Sequence, residues 1–165
     1  MAWLIPGVDL TEIGHQVVRR EPCVLVVPAD DPLAKGPAVA LESVGSRPFV
    51  APIRGTAMRE LLDGAFGRAG IEPRFAIETN EVAAAVAYVG LGAGLTILTR
   101  SVVEHFKESV ATVPLTDGWT FVTALAWHEG AYRTPAAERA LSFARAPLEA
   151  EAGHLEQGGT PNAAS

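Results

Sequence analysis

Residues 48–98 read PFVAPIRGTAMRELLDGAFGRAGIEPRFAIETNEVAAAVAYVGLGAGLTIL, and the order of apolar periods in this stretch decides the fold class. It opens on a short apolar strand, Pro48 to Ala51, stopped by Pro52 and followed by the polar turn Arg54-Gly55-Thr56. Met58, Leu61, Leu62, Ala65, Phe66 and Ala69 then recur at i, i+3, i+4, i+7, i+8 and i+11, one continuous face at the 3.6-residue period of a helix. Thr56 is placed to cap that helix, and Gly70 stands where a left-handed C-terminal residue is wanted. Arg74 to Glu78 is a second strand. Asn80 reads as the N-cap of a second helix with Val82, Val86 and Val89 on one face, ended by Gly90 and Gly92, and Leu95 to Leu98 is a third strand. Strand, helix, strand, helix, strand implies right-handed crossovers onto a mostly parallel sheet with helices on both faces. Ligands of such sheets lie beyond the carboxyl ends of the strands, which puts residues 52–57 and 78–80 on one rim.

Working outward, Gln16 to Arg20 and Cys23 to Val27 read as two short strands bounded by Pro22 and Pro28, with a turn at Ala29-Asp30-Asp31-Pro32. Downstream, Ser101 to Phe106 is a short helix, and Ala111 to Leu115 and Phe121 to Trp127 are strands. Thr134-Pro135 is an N-cap followed by proline at the first helical position, with Ala137, Leu141, Ala144 and Leu148 helically spaced behind it. The composition after about Glu151 is that of a disordered tail.

The 165 residues are 48% hydrophobic, enough to build a core. Thirteen Lys and Arg against 19 Asp and Glu give a formal net charge of -6, which opposes a phosphate backbone, so no direct nucleic-acid contact is expected. The single cysteine, Cys23, lies in an apolar run and reads as a small core residue, in keeping with a reducing cytoplasm. Met1 to Pro6 has no basic region and few apolar residues before Pro6 and Asp9, so it reads as neither a signal peptide nor a membrane span. A cytoplasmic chain with no membrane partner is expected.

The loop Arg54-Gly55-Thr56-Ala57 runs into a helix N-terminus, where free backbone N–H groups and the positive dipole end suit a carboxylate or other small anion. The bland reading of Thr56 as a plain cap is compatible with that one. Arg59, one turn inside the helix, reads as solvated or salt-bridging. Gly90, Gly92 and Gly94 follow a helix and precede a strand, the reverse of a dinucleotide fingerprint, and read as a tight turn. His15, His105, His128 and His154 have no ligand spacing, so no metal site or cofactor is expected. No serine stands in a G-x-S-x-G elbow, and Asp30-Asp31 and Glu149/Glu151 read as solvated charges, so no catalytic set is expected.

Four segments, in order, resemble the effector (substrate)-binding domain of LysR-type transcriptional regulators. The first is Glu21-Pro22-Cys23-Val24-Leu25-Val26-Val27-Pro28 followed by Asp31-Pro32-Leu33-Ala34, with Asp31 where that family usually has histidine. The second runs from Gly55-Thr56 through Arg59, Leu62 and Phe66 to Ala69-Gly70 and Pro73. The third is Glu78-Thr79-Asn80 leading to Val89-Gly90-Leu91-Gly92-Ala93-Gly94-Leu95, with Gly90 in place of a common alanine and Thr99 in place of the usual proline. The fourth is Ala124-Leu125-Ala126-Trp127 and the helix after Pro135.

The resemblance implies an α/β fold of the type 2 periplasmic-binding-protein kind, two lobes with mostly parallel sheets flanked by helices. Residues 1–47 would be a partial first lobe and hinge, 48–116 the second lobe, 117–150 the return strand and closing helix of the first lobe, and 151–165 a disordered tail. It implies an N-terminally truncated regulator, lacking the helix-turn-helix, the linker helix and the opening elements of the first lobe. Such a lobe would expose an edge and invite self-association or association with a full-length regulator. The implied function is binding of a small, anionic effector rather than catalysis, with Pro52, Ile53, Arg54, Gly55, Thr56 and Ala57 as the contact loop and Glu78 and Asn80 on the rim. The alternatives are a solute-binding protein of an uptake system, an enzyme on the same scaffold, and a non-functional truncated remnant.

Overall fold

A computed structural model describes residues 2–3, 13–106, 109–116, 118–128, 134–139 and 142. Its strands are β1 (Ala2–Trp3), β2 (Ile13–Pro28), β3 (Pro48–Ala51), β4 (Arg74–Glu78), β5 (Thr96–Thr99), β6 (Val110–Pro114) and β7 (Thr120–His128). Its α-helices with both ends described are α1 (Leu41–Val44), α2 (Ala57–Arg68), α3 (Val82–Gly90) and α4 (Arg100–Val103). The chain is also helical at 135–139, where Thr134 Oγ1 accepts from the Ala137 N–H as the Thr134-Pro135 start requires. The later positions of that helix, Leu141, Ala144 and Leu148, and the expected tail lie outside the described residues.

The two short strands expected on either side of Pro22 are one strand of 16 residues. Up to Pro22, β2 pairs antiparallel with β7, from Ile13↔His128 to Pro22↔Thr120. From Cys23 and Val24 it pairs antiparallel with β5 and β6. The Cys23 N–H donates to the Trp119 carbonyl at 2.8 Å. The missing N–H of the proline therefore falls at the seam between two ladders, a place where a strand tolerates it. On the far side of β7, β1 adds Ala2↔Ala124 and Trp3↔Thr123, a strand that the sequence did not announce.

The parallel arrangement expected of residues 48–98 holds where it was argued. Strands β3 and β4 pair parallel, and Leu95, just ahead of β5, bridges parallel to Phe49. The lateral order is thus β4-β3-β5-β2-β6, and the departure from a mostly parallel sheet is β2, antiparallel to every neighbour. The crossover rule governs only strands joined through helices, and β2 enters from its antiparallel ribbon with β7.

Val24, Leu25, Val26 and Val27 are buried as an unbroken run because this half of β2 is covered on both faces. Cys23, Leu25 and Val27 point to one side, where α2 packs Leu62, Ala65 and Phe66 against Phe49 and Ile97. Val24 and Val26 point to the other, against Ala85, Val86 and Val89 of α3 and Val103 of α4. Each such full burial contributes about 1.5–3 kcal/mol. Thr56 accepts from the Arg59 N–H at the start of α2, and Gly70 beyond its end has φ 66, both as the sequence requires.

One charge read as solvated is not. The Asp31 side chain is 6% exposed and 2.6 Å from Arg47 Nη2, and its Oδ1 accepts from the Leu33 N–H at 3.0 Å. It caps the 3-10 turn Pro32–Lys35 and ties it to the residue before β3.

Candidate functional site

A cleft of about 370 Å³ opens where the carboxyl ends of β3 and β5 meet the first turns of α2 and α3. Ala51 and Pro52 come from the end of β3, and Thr56, Ala57 and Met58 from the start of α2. Thr79 to Val82 and Ala85 form the opposite rim, Thr96, Leu98 and Thr99 of β5 the floor, and Glu21, Phe121 and Thr123 of the β2–β7 ribbon the back wall. Among the described residues the wall is apolar apart from hydroxyls, one amide and two carboxylates, and no Lys, Arg or His lines it.

Two helix N-termini face into this space. Ala57 and Met58 belong to the first turn of α2, whose N–H groups have no intrahelical acceptor, and Thr56 spends its oxygen on Arg59. The N-cap of α3 is Glu81 at φ -87, ψ 109, with no side-chain cap hydrogen bond. Its first-turn donors and the positive ends of two helix dipoles are groups of a kind that suit negative charge.

Of the residues singled out from the sequence, Pro52, Thr56, Ala57 and Asn80 line the cleft. Ile53, Arg54 and Gly55 are exposed on the connecting loop and are not among its walls. Glu78 faces away, its carboxylate engaged by Arg59 at 2.7 Å. Asn80 is not a helix cap. The N-cap falls one residue later because Thr79 Oγ1 takes the Glu81 N–H at 3.1 Å, and Asn80 Oδ1 instead accepts from the Ile53 N–H at 3.3 Å. Arg59 is salt-bridging, the second of its two readings, and not solvated: it is 1% exposed and pairs with Asp63 and Glu78.

Sequence reasoning missed the floor and back wall. Glu21, Thr96, Thr99, Phe121 and Thr123 sit on strands whose local pattern reads as core. The one available signal was Glu21, a lone acid next to the seam proline. Its Oε1 accepts from the Ser101 hydroxyl and lies 3.1 Å from Arg19 Nη2.

A family profile described as LysR substrate binding domain matches residues 2–148. The chain belongs to the LysR substrate-binding domain family. It is 29% identical over 121 residues to the uncharacterized HTH-type transcriptional regulator YybE of Bacillus subtilis (strain 168), covering 72% of this chain and 40% of that protein. It is 29% identical over 107 residues to YnfL of Escherichia coli (strain K12), covering 64% of this chain and 36% of that one. The chain thus spans 36% to 40% of the length of these curated relatives. Among solved LysR-type structures, the effector binding domain of QuiR in complex with shikimate superposes with a TM-score of 0.73 at 22% identity, covering 82% of this chain and 65% of that one. The regulatory domain of Synechocystis PCC6803 CcmR in complex with 2-PG gives 0.78 at 16%, covering 88% and 70%. The BenM effector binding domain with benzoate gives 0.69 at 20%, covering 96% and 71%. These likenesses establish the type 2 periplasmic-binding-protein-like fold of the LysR effector domain. Among the described residues no helix is long and apolar enough to cross a membrane.

Proposed function

We propose that this LysR domain binds a small anionic effector in the cleft between β3, β5 and the ribbon, and that it acts by binding rather than turnover. The observation that carries the reading is the convergence of two helix N-termini on one cleft whose other walls are apolar groups, threonine hydroxyls, the Asn80 amide and the carboxylates of Glu21 and Glu81. Shikimate and benzoate, bound by two of the structural neighbours, are carboxylates of a size that such a cleft admits. With no cationic side chain in the wall among the described residues, a carboxylate held by backbone N–H groups fits better than a multiply charged phosphate.

Strand β2 leaves β7 for β5 and β6 at Pro22–Cys23, so the strands that cross between the two pairings carry the hinge in this reading. Glu21, Phe121 and Thr123 line the cleft from those crossing strands, so an occupant that contacts them shifts the population of lobe orientations. The net charge of -6 argues that this domain reaches DNA only through a partner. Helix α3, VAAAVAYVG, carries no charged residue, and its outer side leaves Tyr88 38% and the following Leu91 82% exposed. That face suits association with a second copy or a full-length regulator.

The test is a titration of isotope-labelled chain with shikimate, benzoate and other small carboxylates, followed by amide chemical shifts. Shifts confined to Thr56, Ala57, Asn80, Val82 and Thr99, lost in Thr56→Ala, are the expected result. Shifts elsewhere, or none with any carboxylate at millimolar concentration, would overturn the reading.

A further inference from the structure

Behind the cleft, and not part of its wall, lies a buried cation. Arg59 is 1% exposed, and its guanidinium spreads over four groups from α2, β4 and the loop after β3. Nη1 donates to the Pro52 carbonyl at 2.9 Å and to Glu78 Oε1 at 2.7 Å, and Nε donates to both carboxylate oxygens of Asp63 at 2.9 and 3.0 Å. The plane stacks on Phe75 with Cζ 4.3 Å from the ring centroid. Burial alone would lower its pKa, but the hydrogen bonds and charges of Glu78 and Asp63 outweigh that and keep it firmly charged.

These contacts do not matter equally. Asp63 and Glu78 are 43% and 40% exposed, so water solvates both when the arginine is gone. The Pro52 carbonyl differs, because it sits at the cleft mouth in a loop whose successive carbonyls are each held by another part of the chain. Ala51 O accepts from the Thr79 N–H at 2.9 Å, Pro52 O from Arg59, and Ile53 O from the Thr56 hydroxyl at 3.0 Å. Of these three, the middle bond is the one that comes from a buried side chain. The planar fork lets one residue reach Pro52 O and both acids together, which an ammonium point charge does not.

We infer that Arg59 is the positioning residue of the cleft: from behind, it fixes the Pro52–Thr56 loop and so the place where the α2 N-terminus meets an occupant. The inference rests on the effector-binding reading for its functional meaning, but the positioning itself is measurable without any ligand. Amide hydrogen exchange in the full chain compares wild type with Arg59→Lys and Arg59→Met. The Ile53 and Thr79 amides are expected to exchange about tenfold faster in Arg59→Lys and faster still in Arg59→Met, while the Leu25 and Ile97 amides of the core stay within about twofold. Unchanged exchange at Ile53 and Thr79 in Arg59→Lys overturns the inference. So does an equal acceleration of the core amides, which would make Arg59 a general stabiliser. Should Arg59→Met fail to fold, Arg59→Lys decides alone. The same samples titrated with shikimate and benzoate separate the two ideas. A probe that shifts cleft resonances in wild type is expected to bind about tenfold more weakly to Arg59→Lys. No cleft shift in wild type removes the effector reading for these probes and leaves the exchange result standing.

Discussion

The Ile53 backbone N–H donates to Asn80 Oδ1 at 3.3 Å, across 27 residues of chain. This bond joins the loop after β3 to the loop after β4, the two rims of one cleft, beside the ladder bond from Thr79 N–H to Ala51 O at 2.9 Å. Asn80 is exposed, so Asn80→Ala is expected to cost no more than about 1 kcal/mol of global stability. It removes the Asn80 side-chain acceptor of the Ile53 N–H, so exchange of that amide should rise about tenfold. Asn80→Asp keeps an acceptor and should stay close to wild type. Equal Ile53 exchange in all three proteins would show that the rims are held together by other means.

How legible this was in the sequence depended on how local each cause is. Helix α2 and strands β3 and β4 were readable because periodicity, a threonine cap and a terminal glycine are all short-range. The continuity of β2 through Pro22 was not, because a proline reads as a break unless one knows that the strand changes partners there. The front of the cleft, Pro52, Thr56, Ala57 and Asn80, followed from the rule that ligands sit past the strand ends. Its back wall joins Glu21 to residues 96–99 and 121–123, and no window of sequence contains that meeting. Asp31 was misread as solvated, and the burial of the salt-bridging Arg59 was not foreseen, for the same reason. Asp63, four residues on, is a local partner of Arg59, but Glu78 and Arg47 stand 19 and 16 positions from Arg59 and Asp31, so no short window shows that these charges are buried.

The Asp31–Arg47 pair has a predictable response to acid. The Arg47 hydrogen bond, together with that from the Leu33 N–H and the arginine's charge, outweighs burial and holds the Asp31 pKa below its ordinary 3.8. A carboxylate depressed in the folded state adds stability above its unfolded pKa and loses it as the pH falls through the folded value. At pH 7, Asp31→Asn should therefore lower stability by about 1–3 kcal/mol, since a nearly buried charged hydrogen bond is lost. The gap between the two proteins should narrow below pH 3.8. Urea melts from pH 2.5 to pH 7 measure it, and a gap that does not change with pH would mean the pair is not what stabilises this turn.

Cys23 should respond to alkali instead. It is 4% exposed, and burial pushes its thiol from 9.0 up to about 11 despite a hydrogen bond from the Phe121 backbone. The unfolded thiol ionises first, so stability should fall as the pH rises from 9 toward 11, by about 2 kcal/mol at the top of that range. Cys23→Ala should be less stable at pH 7 but should lose less over the same interval. Alkylation of the native protein by iodoacetamide near neutral pH should proceed only through opening, so rapid labelling of a folded sample would contradict the burial.

Gly94 is the point at which β3 and the segment leading into β5 come closest. A Cβ placed on it would lie 2.7 Å from the Pro48 carbonyl oxygen and 3.2 Å from the Phe49 carbonyl carbon, both backbone atoms with no rotamer to yield. The next residue, Leu95, takes its two bridging hydrogen bonds from this approach, donating to Pro48 O at 2.8 Å and accepting from Val50 N at 2.7 Å. Gly94→Ala must push the strands apart, with an expected loss of about 1–3 kcal/mol. Because Ala51 and Thr96 follow those strands into the cleft, the same change should weaken any cleft ligand. Gly67 provides the opposite case: it lies on the exposed side of α2, with nothing within 4 Å of a built Cβ. Gly67→Ala should stabilise the protein by about 0.5–1 kcal/mol through helix propensity. Urea unfolding of the two alanine variants should move in opposite directions, and a neutral Gly94→Ala would show that the β3–Leu95 contact has room the geometry denies it.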